Sequence, residues 1–234
     1  MALGIDETKR FAWIDGFPLK HIFTTTYVGN FLVFEDGVLA VYRLAGDLMA
    51  VEKAREIPFS VYHLVPSSGR KIYDSGRGWQ IVEGQSLILE VKEEAKVITI
   101  FPADCYPIFI GDTKQRIIGL VHGSAVEVFR KTLLKTLREA RERFKISPEE
   151  ILIGIGPGIK KCCYPIDLLG RILNQLKKFG VLREHIYIAG VCTSCSVFPN
   201  SKEYIFYSHR RSKRLKEPEG RFAAVLTSRL IGSG

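Results

Sequence analysis

The sequence predicts a single α/β (α+β) domain over residues 1–234, and three observations carry that reading. Short runs of β-branched and aromatic residues, separated by turn residues, dominate the first hundred positions. The apolar period then lengthens to that of a helix over Ala125 to Phe144. No repeat, low-complexity tract or linker-like stretch divides the chain. At 46% hydrophobic and 25% charged, 234 residues have the makeup of a chain that buries a core without help from disulfides.

The elements follow in order. Phe31-Leu32-Val33-Phe34 and Val38 to Leu44 flank Glu35-Asp36-Gly37, which predicts a hairpin turning at Asp36-Gly37. Ser60 to Val65 reads as a strand whose alternation puts Val61, His63 and Val65 on one face. Further strands are predicted over Gln85 to Glu90, Lys96 to Phe101, Tyr106 to Ile110 and Ile117 to His122, the last two joined by a turn around Gly111-Asp112-Thr113. Within Ala125 to Phe144, Val126, Phe129, Leu133, Leu134, Leu137, Ala140 and Phe144 recur at helical spacing, with Lys and Arg on the other face. Ser147-Pro148-Glu149-Glu150 is a capped turn into the strand Ile151 to Ile155, which Gly156-Pro157-Gly158 ends. A second helix is predicted over Asp167 to Phe179 and a buried strand over Ile186 to Val191.

Charge and composition narrow the partners. A formal net charge of +9 favours anionic ligands or nucleic acid through the long-range field. The densest basic run, His209 to Lys216, has no interleaved aromatics and matches no helix-turn-helix, zinc-finger or RNA-recognition pattern. It reads as a solvated or phosphate-facing loop, and nucleic acid is not the expected partner. No segment has the order of a signal peptide or the length of a bilayer span, so a cytoplasmic address and no membrane partner are expected. Five cysteines, an odd number, favour free thiols, ligands or a nucleophile over a disulfide framework.

Several residues could carry chemistry. Cys105, in Asp104-Cys105-Tyr106-Pro107, follows the apolar run Val97 to Phe101, and His122 ends the run Ile117 to Val121. Two strands joined by a turn would bring the pair together, either as metal ligands or as a thiol beside an activating imidazole. Taken alone, His63 among apolar neighbours reads as a core histidine before a ligand. Cys192-Thr193-Ser194-Cys195 has the spacing of half a zinc ribbon or of a redox pair, but no second CxxC exists. Adjacent Cys162-Cys163 are not expected to join them on a metal, so the four read as buried free thiols. Gly154-Ile155-Gly156-Pro157-Gly158 lacks the Gly-Lys-Ser/Thr of a phosphate loop and reads as a tight turn with close backbone approach.

Set in order, these segments resemble one known family. The carriers are His21-Ile22-Phe23-Thr24-Thr25, Tyr62-His63, Ala103-Asp104-Cys105-Tyr106-Pro107-Ile108, Val121-His122-Gly123, and Gly156-Pro157-Gly158-Ile159 with Cys162-Cys163-Tyr164. Cys192-Thr193, Phe206-Tyr207-Ser208-His209-Arg210-Arg211 and Gly220-Arg221 complete the series. The chain is similar in this to the YfiH-like, laccase-domain family of zinc-dependent purine nucleoside phosphorylases. That resemblance implies central mixed β-sheets flanked by helices, a fold related to bacterial cysteine deamidases. It implies zinc held by His63, Cys105 and His122, with Cys105, His122 and Asp104 as catalytic residues. Purine nucleoside (adenosine, inosine or methylthioadenosine) and phosphate are the implied substrates, with adenosine deamination as a further activity. Arg210 and Arg211 are the cations expected to hold phosphate.

The chain also departs from the family. Where the family carries Gly-Trp-Arg/Lys-Gly, it reads Gly123-Ser124-Ala125-Val126-Glu127, and Pro165 follows Cys163-Tyr164 where Glu is usual. Losing an aromatic and a cation implies weakened phosphorolysis. The competing readings are a metal-free Cys105/His122 hydrolase or deamidase, a copper-dependent phenol oxidase, and a binding protein without turnover.

Overall fold

The computed structural model describes residues 3–31, 59–69, 71–74, 79–92 and 94–230. The hairpin predicted at Asp36-Gly37 lies outside them. Among the described residues the strands are β1 (Leu3–Ile5), β2 (Phe11–Ile14), β3 (Leu19–Thr24), β4 (Phe59–Pro66), β5 (Lys71–Asp74), β6 (Trp79–Gly84) and β7 (Ser86–Glu90). They continue with β8 (Ala95–Ile100), β9 (Tyr106–Asp112), β10 (Ile117–Gly123), β11 (Ile151–Ile155), β12 (Ile186–Ile188) and β13 (Ala224–Leu230). The helices are α1 (Ala125–Phe129), α2 (Thr132–Phe144), α3 (Leu168–Phe179) and α4 (His209–Leu215).

Two mixed sheets form. One runs β1-β2-β3-β13-β8-β4-β6-β5 and the other β12-β11-β9-β10-β7. Alternation along the strands sorts the core into layers. Phe109 on β9 and Ile118 and Leu120 on β10 join Phe23, Leu64, Ile98, Ile100 and Leu226 of the larger sheet in one buried cluster. Their neighbours Ile108, Ile110, Ile117 and Val121 point the other way, onto Leu133, Leu137 and Ala140 of α2 and Ile172 and Leu176 of α3. Strand β9 is therefore buried along its whole length, and its run Tyr-Pro-Ile-Phe-Ile-Gly-Asp is apolar on both faces.

The predicted strands at Gln85 to Glu90, Lys96 to Phe101, Tyr106 to Ile110, Ile117 to His122 and Ile151 to Ile155 appear as β7, β8, β9, β10 and β11. The capped turn also forms, with the Ser147 amide donating to Glu150 Oε2 at 3.1 Å. Three expectations are corrected. The helix predicted over Ala125 to Phe144 breaks after Phe129, where Lys131 turns left-handed at φ 57. Buried Val128 and buried Leu133 both contribute to the layer against the smaller sheet. Five positions apart on a straight helix they would point about 140° away from each other. The break brings both onto the sheet and leaves Val126 and Phe129 at the surface. The strand predicted over Ile186 to Val191 stops at Ile188, shortly before Gly190 at φ 73. The basic run is a helix, α4, whose first turn is capped by Ser208 accepting from the Arg211 amide at 3.1 Å.

Candidate active site

The crossover from β8 to β9 carries the chain from one sheet to the other, and Asp104 makes the turn. Its φ of 76 lies in the left-handed region, which Asp tolerates better than most residues. Its buried carboxylate accepts from Thr193 Oγ1 at 2.8 Å, Ser208 Oγ at 2.7 Å and the Arg210 amide at 2.7 Å. Three protein donors already in place fasten this carboxylate to the turn.

Cys105 emerges at the start of β9. The antiparallel register Gly123↔Tyr106 and His122↔Pro107 puts it at the same sheet end as His122. His122 Nδ1 lies 2.8 Å from Gln85 Oε1, and donation there leaves Nε2 with its lone pair. His63, on β4, is paired across the sheet with Thr99 and Ile81, and its ring centre is 4.4 Å from that of Phe101. Its Nδ1 is buried and has no partner among the described residues. Burial pulls both imidazoles down to about 4, so both are neutral at pH 7. Burial, reinforced by the charge of Asp104, pushes the Cys105 thiol up to about 11, with Arg221 acting against the shift.

Two neutral imidazoles, an orphaned ring nitrogen and a thiol that needs a cation to ionise are a donor set whose chemistry fits zinc. Among the described residues, the group of His, Cys, Asp or Glu side chains gathered at ligand spacing is Cys162, Cys163, Cys192 and Cys195, and His63, Cys105 and His122 are not gathered in that way.

The two arginines separate. Arg210 is exposed, its guanidinium stands 4.9 Å from the centre of the Tyr164 ring, and it lines the cavity beside Cys105. Arg211 is buried and turned inward. It donates to Thr193 O and Phe206 O, each at 3.0 Å, and stacks 3.8 Å from the centre of the Tyr204 ring. Of the two arginines expected to hold phosphate, Arg210 lines the cavity, while Arg211 spends two of its guanidinium nitrogens on carbonyls of the protein itself.

The cavity beside Cys105 is about 150 Å³, with Ala103, Ala125, Ile159, Tyr164 and Leu168 as its apolar wall and Asp104, His209 and Arg210 as its polar one. His209 and Arg210 also border a second, cationic cavity of about 530 Å³ with Lys213 and Arg214. His209, Tyr164 and Arg221 were not singled out by residue type in the sequence, although each lies inside a quoted motif. Arg221 is brought to Cys105 and His122 because the Phe222 amide donates to Pro102 O at 3.2 Å where β13 begins.

The glycine-rich turn is the close approach that was expected. A Cβ on Gly158 would stand 2.4 Å from the Tyr106 ring, and one on Gly156 would stand 2.6 Å from Phe23. The amides of Gly156 and Ile159 donate to Pro107 O and Asp104 O.

The four remaining cysteines are free, as expected, but the expectation that they are buried is corrected. Only Cys192 is buried, Cys163 is half-buried, Cys162 and Cys195 are exposed, and the four sulfurs lie within 4.8 Å of one another. Sequence spacing missed this because the Cys162-Cys163 turn and the CxxC turn are joined through the backbone, by a parallel bridge between Gly158 and Cys192.

Comparisons with known proteins bear on the family and the fold. The family model described as multi-copper polyphenol oxidoreductase laccase matches residues 88–169 and 165–229. A purine nucleoside phosphorylase of Clostridium acetobutylicum is 27% identical over 168 residues, covering 59% of this chain and 65% of that protein. The purine nucleoside phosphorylase YlmD of Geobacillus stearothermophilus is 27% identical over 161 residues, covering 53% of this chain and 54% of that protein. The chain thus spans between half and two-thirds of the length of these relatives. The crystal structure of the hypothetical protein YfiH from Bacillus licheniformis superposes with a TM-score of 0.70 at 16% identity, covering 96% of this chain and 98% of that one, and is similar in fold.

Proposed function

The chain belongs to the YfiH-like family of multi-copper polyphenol oxidoreductase laccases, and from that premise we propose that it is a purine nucleoside phosphorylase acting on adenosine, inosine or methylthioadenosine. The observation that carries this reading is the pair of cavities that meet at His209 and Arg210. One offers an aromatic and apolar wall for a base or ribose, and the other a cluster of cations for an anion. A phosphorylase needs those two surfaces side by side. Each cavity alone is small or open for a whole nucleoside, whose pockets run from roughly 300 Å³ upward, so the ligand spans both.

In phosphorolysis a phosphate oxygen bonds to C1′ of the ribose while the C1′–N9 bond breaks, and the electron pair leaves with the purine, which takes up a proton. Arg210 holds the phosphate, and its stacking on Tyr164 keeps the guanidinium over the cavity mouth. His209, at both cavities and 3.1 Å from Glu219, is placed to give the departing base its proton. Asp104 positions Cys105 and the Arg210 backbone without taking part in proton transfer. Zinc, when held by His63, Cys105 and His122, would supply Lewis-acid stabilisation of the charge that develops on an oxygen of the reacting groups. The Trp and cation missing after His122 are replaced in this reading by Tyr164 and Arg210, which reach the pocket from other turns.

The alternatives gain less support. A metal-free Cys105 nucleophile would have to ionise a thiol that stays pushed up to about 11 despite Arg221, with His122 held neutral by burial. Deamination of adenosine would need a free carboxylate, and Asp104 is engaged by three donors. The test is release of free base from each nucleoside by metal-replete protein, with and without phosphate. Base release that requires phosphate is expected. Ammonia release independent of phosphate, or no turnover at full metal occupancy, would overturn the proposal.

A further inference from the structure

We propose that Cys162, Cys163, Cys192 and Cys195 form a tetrathiolate site for a thiophilic divalent ion, zinc being the expected occupant, separate from the Cys105 site and taking no chemical part in the reaction there. The four sulfurs lie within 4.8 Å of one another, and Cys162 Sγ is 3.5 Å from Cys195 Sγ. Tetrahedral coordination with metal–sulfur bonds of about 2.3 Å puts ligand sulfurs slightly under 4 Å apart, so closing on an ion needs only small side-chain movement. An all-sulfur set with no carboxylate or imidazole selects zinc, or iron, over hard cations.

The surrounding backbone is built to hold these turns. Cys192 O accepts from the Ser196 amide at 3.0 Å and the Cys192 amide donates to Ser196 Oγ at 3.1 Å, which closes the CxxC turn on itself. The Cys163 amide donates to Lys160 O at 2.9 Å and closes the other turn. The Lys160 amide points at Cys192 Sγ from 3.4 Å, a donor to a metal-bound thiolate of the kind that outer partners supply. Lys160 Nζ reaches across to Gly190 O at 2.9 Å.

The site has a consequence for the pocket. The first turn continues directly into Tyr164, the aromatic wall, and the second contains Thr193, which bonds Asp104 and whose carbonyl receives Arg211. An ion here would staple the wall of the cavity to the turn that presents Cys105.

Cys105→Ala leaves only these four cysteines, which makes it the background for the test. Purified without a metal-affinity tag and under reducing conditions, it is expected to carry one zinc or iron per chain by elemental analysis. Its four thiols should resist maleimide while the metal is bound and all react after chelation. Cobalt exchange should give the intense visible bands of a tetrahedral thiolate complex. Cys195→Ser in the same background should lose the metal, and if it fails to fold, the chelation and alkylation results stand alone. Four thiols that react at once in reduced protein without metal would overturn the proposal. So would a Cys162–Cys195 disulfide as the species recovered without reductant together with no metal uptake when reduced, which would make the cluster a redox pair.

Discussion

Thr193 Oγ1 donates to Asp104 Oδ1 at 2.8 Å, and this contact fastens the CxxC turn to the turn that presents Cys105. The two residues are 89 positions apart in sequence. Ser208 and the Arg210 amide complete the grip, so one carboxylate ties the CxxC turn and the start of α4 to the turn that presents Cys105.

Removing that carboxylate strands three buried or half-buried donors. Asp104→Ala should cost about 3 kcal/mol or more, while Asp104→Asn, which keeps one acceptor oxygen and also tolerates the left-handed backbone, should cost about 1 kcal/mol less than that. Denaturant midpoints at constant slope measure the difference. Equal, small losses for both would mean the hydrogen bonds are not what holds the turn.

Neighbouring arginines should behave oppositely. Arg211→Ala leaves two buried carbonyls without their donor and should destabilise the fold by about 2–4 kcal/mol. Arg210→Ala should leave stability within about 0.5 kcal/mol, as exposed positions do, and raise the KM for phosphate more than that for nucleoside. A phosphate effect carried by Arg211 with no loss of stability would contradict the assignment.

The histidine of the opening motif has a structural role with a pH signature. His21 Nδ1 donates to Leu19 O at 2.7 Å, Nε2 accepts from the Ile14 amide at 2.8 Å, and the ring sits edge-on to Phe23 and Phe109. Burial, partly offset by the bond to Leu19, lowers it from 6.5 to about 4. The unfolded chain therefore takes up this proton first as pH falls. Stability is unaffected by this group above pH 6.5 and declines below it by up to about 1.4 kcal/mol per unit until about pH 4. Urea midpoints at pH 7 and pH 5 should differ more in the wild type than in His21→Asn. An identical pH slope in the two proteins would refute the locked neutral ring.

Local pattern made much of this fold legible. The capped turn at Ser147, the buried strand Ile151–Ile155 and the helix after Asp167 are specified by residues within a few positions of one another. Non-local pairing was not. β13, the last strand, inserts between β3 and β8, and nothing in its Ala-Val-Leu-Thr-Ser-Arg-Leu run names those partners. The same limit applies to the site. Cys105 and His122 were placed near one another by two strands and a turn, but Tyr164 and His209 reach the pocket through contacts that span long stretches of sequence. The four-cysteine group was passed over for that reason too, because a bridge between Gly158 and Cys192 gathers it and its own spacing does not.

The central claim, that phosphate is the attacking group, is tested most directly by supplying inosine with phosphate labelled with heavy oxygen at every position and weighing the sugar product. Attack by a phosphate oxygen on C1′ predicts ribose 1-phosphate that retains the full label, formed in step with free hypoxanthine and lost in Arg210→Ala at low phosphate. Free ribose without label, or label-independent loss of the base at the same rate in Arg210→Ala, would contradict it.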